Sequence, residues 1–290
     1  MTYEFVEDGP KALSWDAYAP IVQREWRELL DRDGTGESDF HEFLERHPCM
    51  IPGCDAFTGA GGWDNPAGPV NGFVISEPLL PGISNRYPDF MRAPTDSQTQ
   101  WVVLIEIEDP KKLWFTENGQ QRAELTQALD QIAQWRAHLK KPENLLLFLR
   151  LYGIPTLRPI EFVFCLVYGR RRDVASRAER EKRNALHNSL GDIKWMTYDR
   201  LRPDEDARNF PCVKVSAAER LTAVAFPPTT EINLWSVRRW VEVNEKRKAI
   251  FASPHFSEPR QKFLADRLDY WDKIVASGIT IGPDEYFKRE

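Results

Sequence analysis

The chain has no apolar run near the roughly 18 residues that a membrane-spanning helix requires, so no membrane association is expected. Its opening residues, MTYEFVEDGPK, lack the basic-then-apolar order of a secretory leader, and a cytoplasmic protein is the expectation. Positive charge is not in surplus: 39 basic residues stand against 44 acidic ones, for a net charge of −5 and a pI near 5.7. That excludes a surface cationic throughout, and any contact with nucleic acid must come from a local basic patch. Cysteine is scarce and scattered (Cys49, Cys54, Cys165, Cys212), which excludes a disulfide framework. Cys165 sits inside the apolar run EFVFCLVY, where a cysteine acts as a small buried hydrophobe. Internal repeats and low-complexity tracts are absent too, which excludes a solenoid.

What is present is 290 residues with 42% hydrophobic content, enough for one sizeable core and a smaller appendage. Helical spacing of Trp15, Tyr18, Val22, Trp26, Leu29 and Leu30 predicts a helix from Ser14 to Asp31, stopped by DRDGTG. A second runs from Gly36 to Arg46, with Phe40, Phe43 and Leu44 on one stripe before Pro48. Three strands follow as a meander: GFVIS, YPDFMR and WVVLIEIE. Residues 120–140 form an amphipathic helix. NLLLFLRLY and IEFVFCLVYG lack alternation and read as strands buried on both sides. A charged helix from Val174 to Ser189 and the strand IKWMTY complete this part. From Glu231 to Ser277 the pattern is helical, broken between Ser253 and Pro259.

In WVVLIEIE, alternation places Val102, Leu104, Glu106 and Glu108 on one face. Two carboxylates thus emerge side by side at the end of an apolar strand, where like charges are costly unless a cation sits between them. Asp89 on the preceding strand brings a third if the two strands pair. Three carboxylates with water suit Mg²⁺, with Mn²⁺ as the alternative. The bland reading is an exposed strand face with solvated charges, and Pro88 with Asp89 alone is an ordinary turn dipeptide. Glu106 and Glu108 as the acid and base of a sugar hydrolase is a third reading, opposed by their spacing of about 6.5 to 7 Å and by the lack of an aromatic-rich cleft.

Pro88 and Asp89, followed by Glu106, Ile107 and Glu108, resemble the PD-(D/E)xK motif of restriction-endonuclease-like nucleases. Three blocks, ESDFHEFLERHP, then PDF with WVVLIEIEDPKK, then AELTQALDQIAQW, make the chain look most like Shedu-type antiphage defence nucleases over roughly Glu37 to Leu201. The resemblance implies an α/β fold with an α-β-β-β-α-β core in a mixed sheet flanked by helices. It divides the chain into a helical segment (1–34), a nuclease-like domain (35–205) and a helical appendage (206–290). It implies Mg²⁺-dependent hydrolysis of DNA phosphodiesters, with Asp89, Glu106 and Glu108 as metal ligands, and Glu37 from the first core helix nearby. Gln131 and Trp135 are similar to a Gln-x-x-x-Tyr element of that family, with Gln131 orienting a phosphate or a ligand carboxylate. Its third motif position usually holds Lys and here holds Glu108, so Lys111, or Lys112 beside it, is the candidate replacement cation. It also implies a homo-oligomer and a further defence-system subunit as partners. A catalytically inactive nuclease-like module that binds nucleic acid or protein is the alternative.

Two further features stay open on sequence alone. GRRRDVASRAEREKR offers Arg170, Arg171, Arg172 and Arg177 as a phosphate-tracking patch, although Glu179 and Glu181 make a solvated helix face an equal reading. His47, Cys49 and Cys54 have no partner pair at zinc spacing, and GAGGW lacks the Lys-Ser/Thr of a phosphate loop.

Overall fold

The computed structural model describes residues 3–53, 72–174, 176–215, 220–279, 285 and 288–290. Cys54 and the GAGGW segment lie outside these residues. Helices α1 (Trp15–Asp31) and α2 (Glu37–Arg46) come first. The expected meander follows: β1 (Val74–Ser76), β2 (Phe90–Arg92) and β3 (Gln100–Ile107) pair antiparallel in that order. Next come α3 (Ala123–Leu139), α4 (Pro142–Leu151), β4 (Ile160–Val167), α5 (Arg177–Ser189) and β5 (Ile193–Met196). The remainder supplies β6 (Cys212–Val215), β7 (Leu221–Ala225), α6 (Leu234–Trp240), β8 (Val243–Asn244), α7 (Lys246–Ala252) and α8 (Glu258–Ala276).

All eight of these strands lie in one mixed sheet, in the order β5-β4-β3-β2-β1-β6-β7-β8. β4 runs parallel to both β3 and β5, and β6 runs parallel to β1. The alternation of β3 divides the core. Val102 and Leu104 pack with Leu125, Ala128 and Ile132 of α3, while Val103, Ile105 and Ile107 pack with Trp26, Phe40 and Leu44 of α1 and α2. Trp26 fixes the second layer: it stacks on Tyr198 with ring centroids 5.7 Å apart, and its Nε1 donates to the Tyr198 carbonyl at 3.2 Å. Truncating a buried Trp of this kind costs about 3–5 kcal/mol.

Two expectations are corrected. NLLLFLRLY is not a buried strand but α4, which begins with Pro142 at its first turn, where the missing N–H costs nothing. Phe148 and Leu149 face the core while Leu146 and Leu147 are exposed, the one-sided burial a helix provides. A short unbroken apolar run looks the same in either state, so periodicity could not decide. The 206–290 segment is not a purely helical appendage either, because β6, β7 and β8 extend the central sheet. β6 finds its parallel partner β1 far upstream, a pairing that no local pattern announces. The expected helices are there, with Leu234, Ile250, Leu264 and Trp271 in the same apolar cluster as Val102 and Leu104. No described helix is long and apolar enough to cross a membrane. Cys49, Cys165 and Cys212 are buried free thiols.

Candidate functional site

The antiparallel register sets Phe90 opposite Ile105, which brings Asp89, just ahead of β2, level with the end of β3. The Asp89 backbone N–H donates to the Ile105 carbonyl at 3.1 Å. Its carboxylate Oδ2 accepts from the Ile107 N–H at 2.7 Å. Glu106 and Glu108 follow Val102 and Leu104 on the alternation and are 5% and 8% exposed, so neither is a solvated surface charge. The backbone N–H of Glu77 braces Asp89 from the other side, donating to its carbonyl at 2.8 Å. Glu77 itself has φ 49°, a left-handed conformation that a non-glycine residue adopts at a cost.

Burial pushes the Asp89 and Glu106 carboxyls above the usual carboxylate range. At Glu106 the charges of Asp89, Glu108 and Glu37 add to the desolvation. The Asp89 and Glu106 side chains meet directly. Glu106 Oε2 is buried and has no N–H or O–H donor among the described residues. A buried, unpartnered carboxylate oxygen in a field of like charge calls for an external cation. Hard oxygen ligands of this kind fit Mg²⁺ or Mn²⁺.

Lys112 meets the third carboxylate. Its Nζ contacts Glu108 and lies 3.2 Å from Glu37 Oε2, at the first turn of α2. Burial raises the Glu108 carboxyl and Lys112 opposes that rise. Burial lowers the Lys112 ammonium, but Glu108 and Glu37 outweigh it and hold it above the usual lysine value. Lys111 points elsewhere, donating from Nζ to the Thr35 carbonyl at 2.5 Å. Of the two adjacent lysines, the geometry therefore gives Lys112, not Lys111, to the carboxylates. Gln131 lies on α3 beside Arg86 and Tyr87, in an open groove of about 680 Å³ next to the segment that carries Asp89.

The arginines divide. Arg170 is 11% exposed and structurally engaged, with Nε on Asp199 at 2.8 Å and Nη1 on the Leu30 carbonyl at 3.0 Å. Arg172 and Arg177 are exposed, near Asp31 and Glu181 respectively. Arg171 instead joins Arg183 and Arg200 around a cavity of about 290 Å³, walled by Trp114, His187 and Trp195, with no acidic residue in its lining. Burial lowers the Arg183 guanidinium, and the charges of Arg171 and Arg200 lower it further. Arg183 belongs to the basic run read from the sequence, whereas Arg200 was not singled out, because only the fold brings the turn after β5 beside α5. Tyr198 was also missed: it is fully buried, its hydroxyl is without a hydrogen-bond partner among the described residues, and it senses the charge of Asp89.

Fold and site thus define a mixed α/β protein with three inward carboxylates at the end of a central strand and a lysine beside them. Residues 34–201 match the family model described as Shedu protein SduA, C-terminal. The match covers more than half of the chain and includes every carboxylate of the site, and the chain belongs to the Shedu SduA family. A search of curated proteins found no match. Membership of this family implies a role in antiphage defence.

Proposed function

We infer that the protein is a metal-dependent DNA endonuclease acting as an effector of antiphage defence, built on a restriction-endonuclease-like α-β-β-β-α-β core. The observation that carries this is the meeting of two buried carboxyls, Asp89 just ahead of β2 and Glu106 on β3, with Glu108 beyond them on the same strand alternation. The order α2, β1, β2, β3, α3, β4 among the described residues, with a 3-10 turn (Pro48–Met50) after α2 and α4 before β4, supports that core.

Asp89 and Glu106 would hold the dication, Glu108 completing the set. When bound, Mg²⁺ supplies Lewis-acid polarisation of a phosphoryl oxygen and neutralises charge on the leaving oxygen. The chain's own part is positional. The Ile107 N–H orients Asp89; Glu108, in contact with Lys112, positions the attacking water; Lys112 stabilises the charge developing on the phosphate, the work of the usual motif lysine. Arg171, Arg183 and Arg200 form a cationic lining at the ends of β4 and β5 that suits a phosphate backbone. Self-association into a homo-oligomer belongs to the same proposal.

The test is supercoiled plasmid and linear duplex incubated with the protein in Mg²⁺, Mn²⁺ or EDTA. Metal-dependent nicking is expected, falling on the order of 10²–10³-fold or more in Asp89→Asn and Glu106→Gln. Tight DNA binding without cleavage in any metal would instead identify an inactive nuclease-like module.

A further inference from the structure

Away from the carboxylates, three side chains from distant parts of the chain converge. Glu25 comes from α1, His47 is the C-terminal cap residue of α2, and His255 lies in the loop between α7 and α8. Glu25 Oε2 is 3.7 Å from His47 Nε2 and 3.2 Å from His255 Nε2. One ligand atom from each residue lies within 4.8 Å of the other two.

A separation of 3.7 Å is too long for a hydrogen bond. Two ligand atoms bound about 2.0–2.1 Å from one tetrahedral ion lie roughly 3.3 Å apart, a value bracketed by the two separations observed. The rest of His47 is arranged as a metal-bound imidazole requires. Its ring is 3% exposed and its Nδ1 is hydrogen-bonded to the Tyr18 hydroxyl at 2.9 Å, which fixes the ring so that Nε2 turns towards Glu25.

His255 supplies an independent sign. Its φ is 67°, a left-handed conformation that carries strain in a non-glycine residue. Core packing does not explain the strain, since the side chain is 24% exposed. The strained turn sets its ring 5.8 Å from that of His47 and 6.2 Å from that of Tyr18. Glu25 is 30% exposed, so the cluster meets solvent on its side. Two imidazoles and one carboxylate select zinc-class ions over Mg²⁺, whose preference is for oxygen.

We propose that Glu25, His47 and His255 form a zinc-class metal site that clamps α1 and α2 to the α7–α8 loop. The site is separate from the Asp89 centre and independent of the nuclease reading.

The test uses the full chain without affinity histidines, stripped with EDTA, mixed with ZnCl₂ or CoCl₂ and passed through gel filtration. One zinc per chain should be retained, Co²⁺ should give visible ligand-field bands, and zinc should raise the Tm by about 5 °C. His255→Gln and Glu25→Gln should each weaken retention at least about tenfold while the metal-free Tm stays near that of the parent. Asp89→Asn should retain zinc fully. The proposal is overturned if the parent retains no zinc, if both cluster variants retain it undiminished, or if Asp89→Asn abolishes retention.

Discussion

The two ends of β2 each carry a buried ionisable group, and the fold treats them in opposite ways. At one end Arg92, 4% exposed, places Nη1 3.0 Å from Asp204 and 3.1 Å from the Ile51 carbonyl, with its guanidinium over the Phe210 ring. At the other end Asp89 faces Glu106 and Glu108, and Lys112 satisfies only the last of these together with Glu37. A buried charge whose counter-charge is built into the chain serves structure. Like charges gathered in the interior without one are the arrangement that the proposed dication would complete.

The comparison can be broken most directly at its satisfied end. Asp204→Ala leaves Arg92 buried with little more than a carbonyl for company, at an expected cost of about 3 kcal/mol in urea unfolding. A loss below about 1 kcal/mol would show that the pair is not what makes Arg92 tolerable.

At the other end the sign should reverse. The folded-state pKa values of Asp89 and Glu106 lie above their unfolded ones, so the folded chain holds protons that the unfolded chain releases. Their favourable contribution is full below the unfolded values, near pH 4, and is lost as pH rises through the raised folded values. Metal-free Asp89→Asn should therefore gain on the parent as pH rises from about 5 to 8, by about 1 kcal/mol or more at the upper end. The lowered pKa of His47 acts in the opposite sense at acid pH, but it is common to both proteins and cancels in the difference. A constant difference across this range would mean that the carboxyl is not perturbed.

The smallest expected effect sharpens the site itself. Lys112→Ala should slow plasmid cleavage about tenfold and change stability by less than about 1 kcal/mol, as for other partly exposed pairs. Lys111→Ala should cleave almost normally, since Lys111 meets a backbone carbonyl. Equal losses in the two variants would remove the distinction between them.

Much of the site was legible because a strand has a period of two residues. Alternation alone placed Glu106 and Glu108 on the face of Val102 and Leu104, and the meander brought Asp89 to them. Choosing between Lys111 and Lys112 was beyond that period, because the chain leaves the strand after Ile107 and the turn geometry decides. The α4 segment was misread for want of alternation. Pro142 at its start was the available signal, since proline favours the first turn of a helix. Nothing local linked Glu25 and His47 to His255, and the Arg171, Arg183 and Arg200 cavity exists only once β5 lies beside β4. Contacts between distant segments carry no periodic trace.

The parallel pairing of β1 with β6 has a consequence for how far the protein can be shortened. A chain ended at residue 205 would keep every residue of the family match yet strip the cover from β1, leaving a row of unsatisfied N–H and C=O groups along a short, wholly buried strand. Such an edge is a template for another strand. The trimmed protein should gather into aggregates or swapped assemblies, and the last third of the chain thereby acts as the built-in guard of the sheet's growing margin.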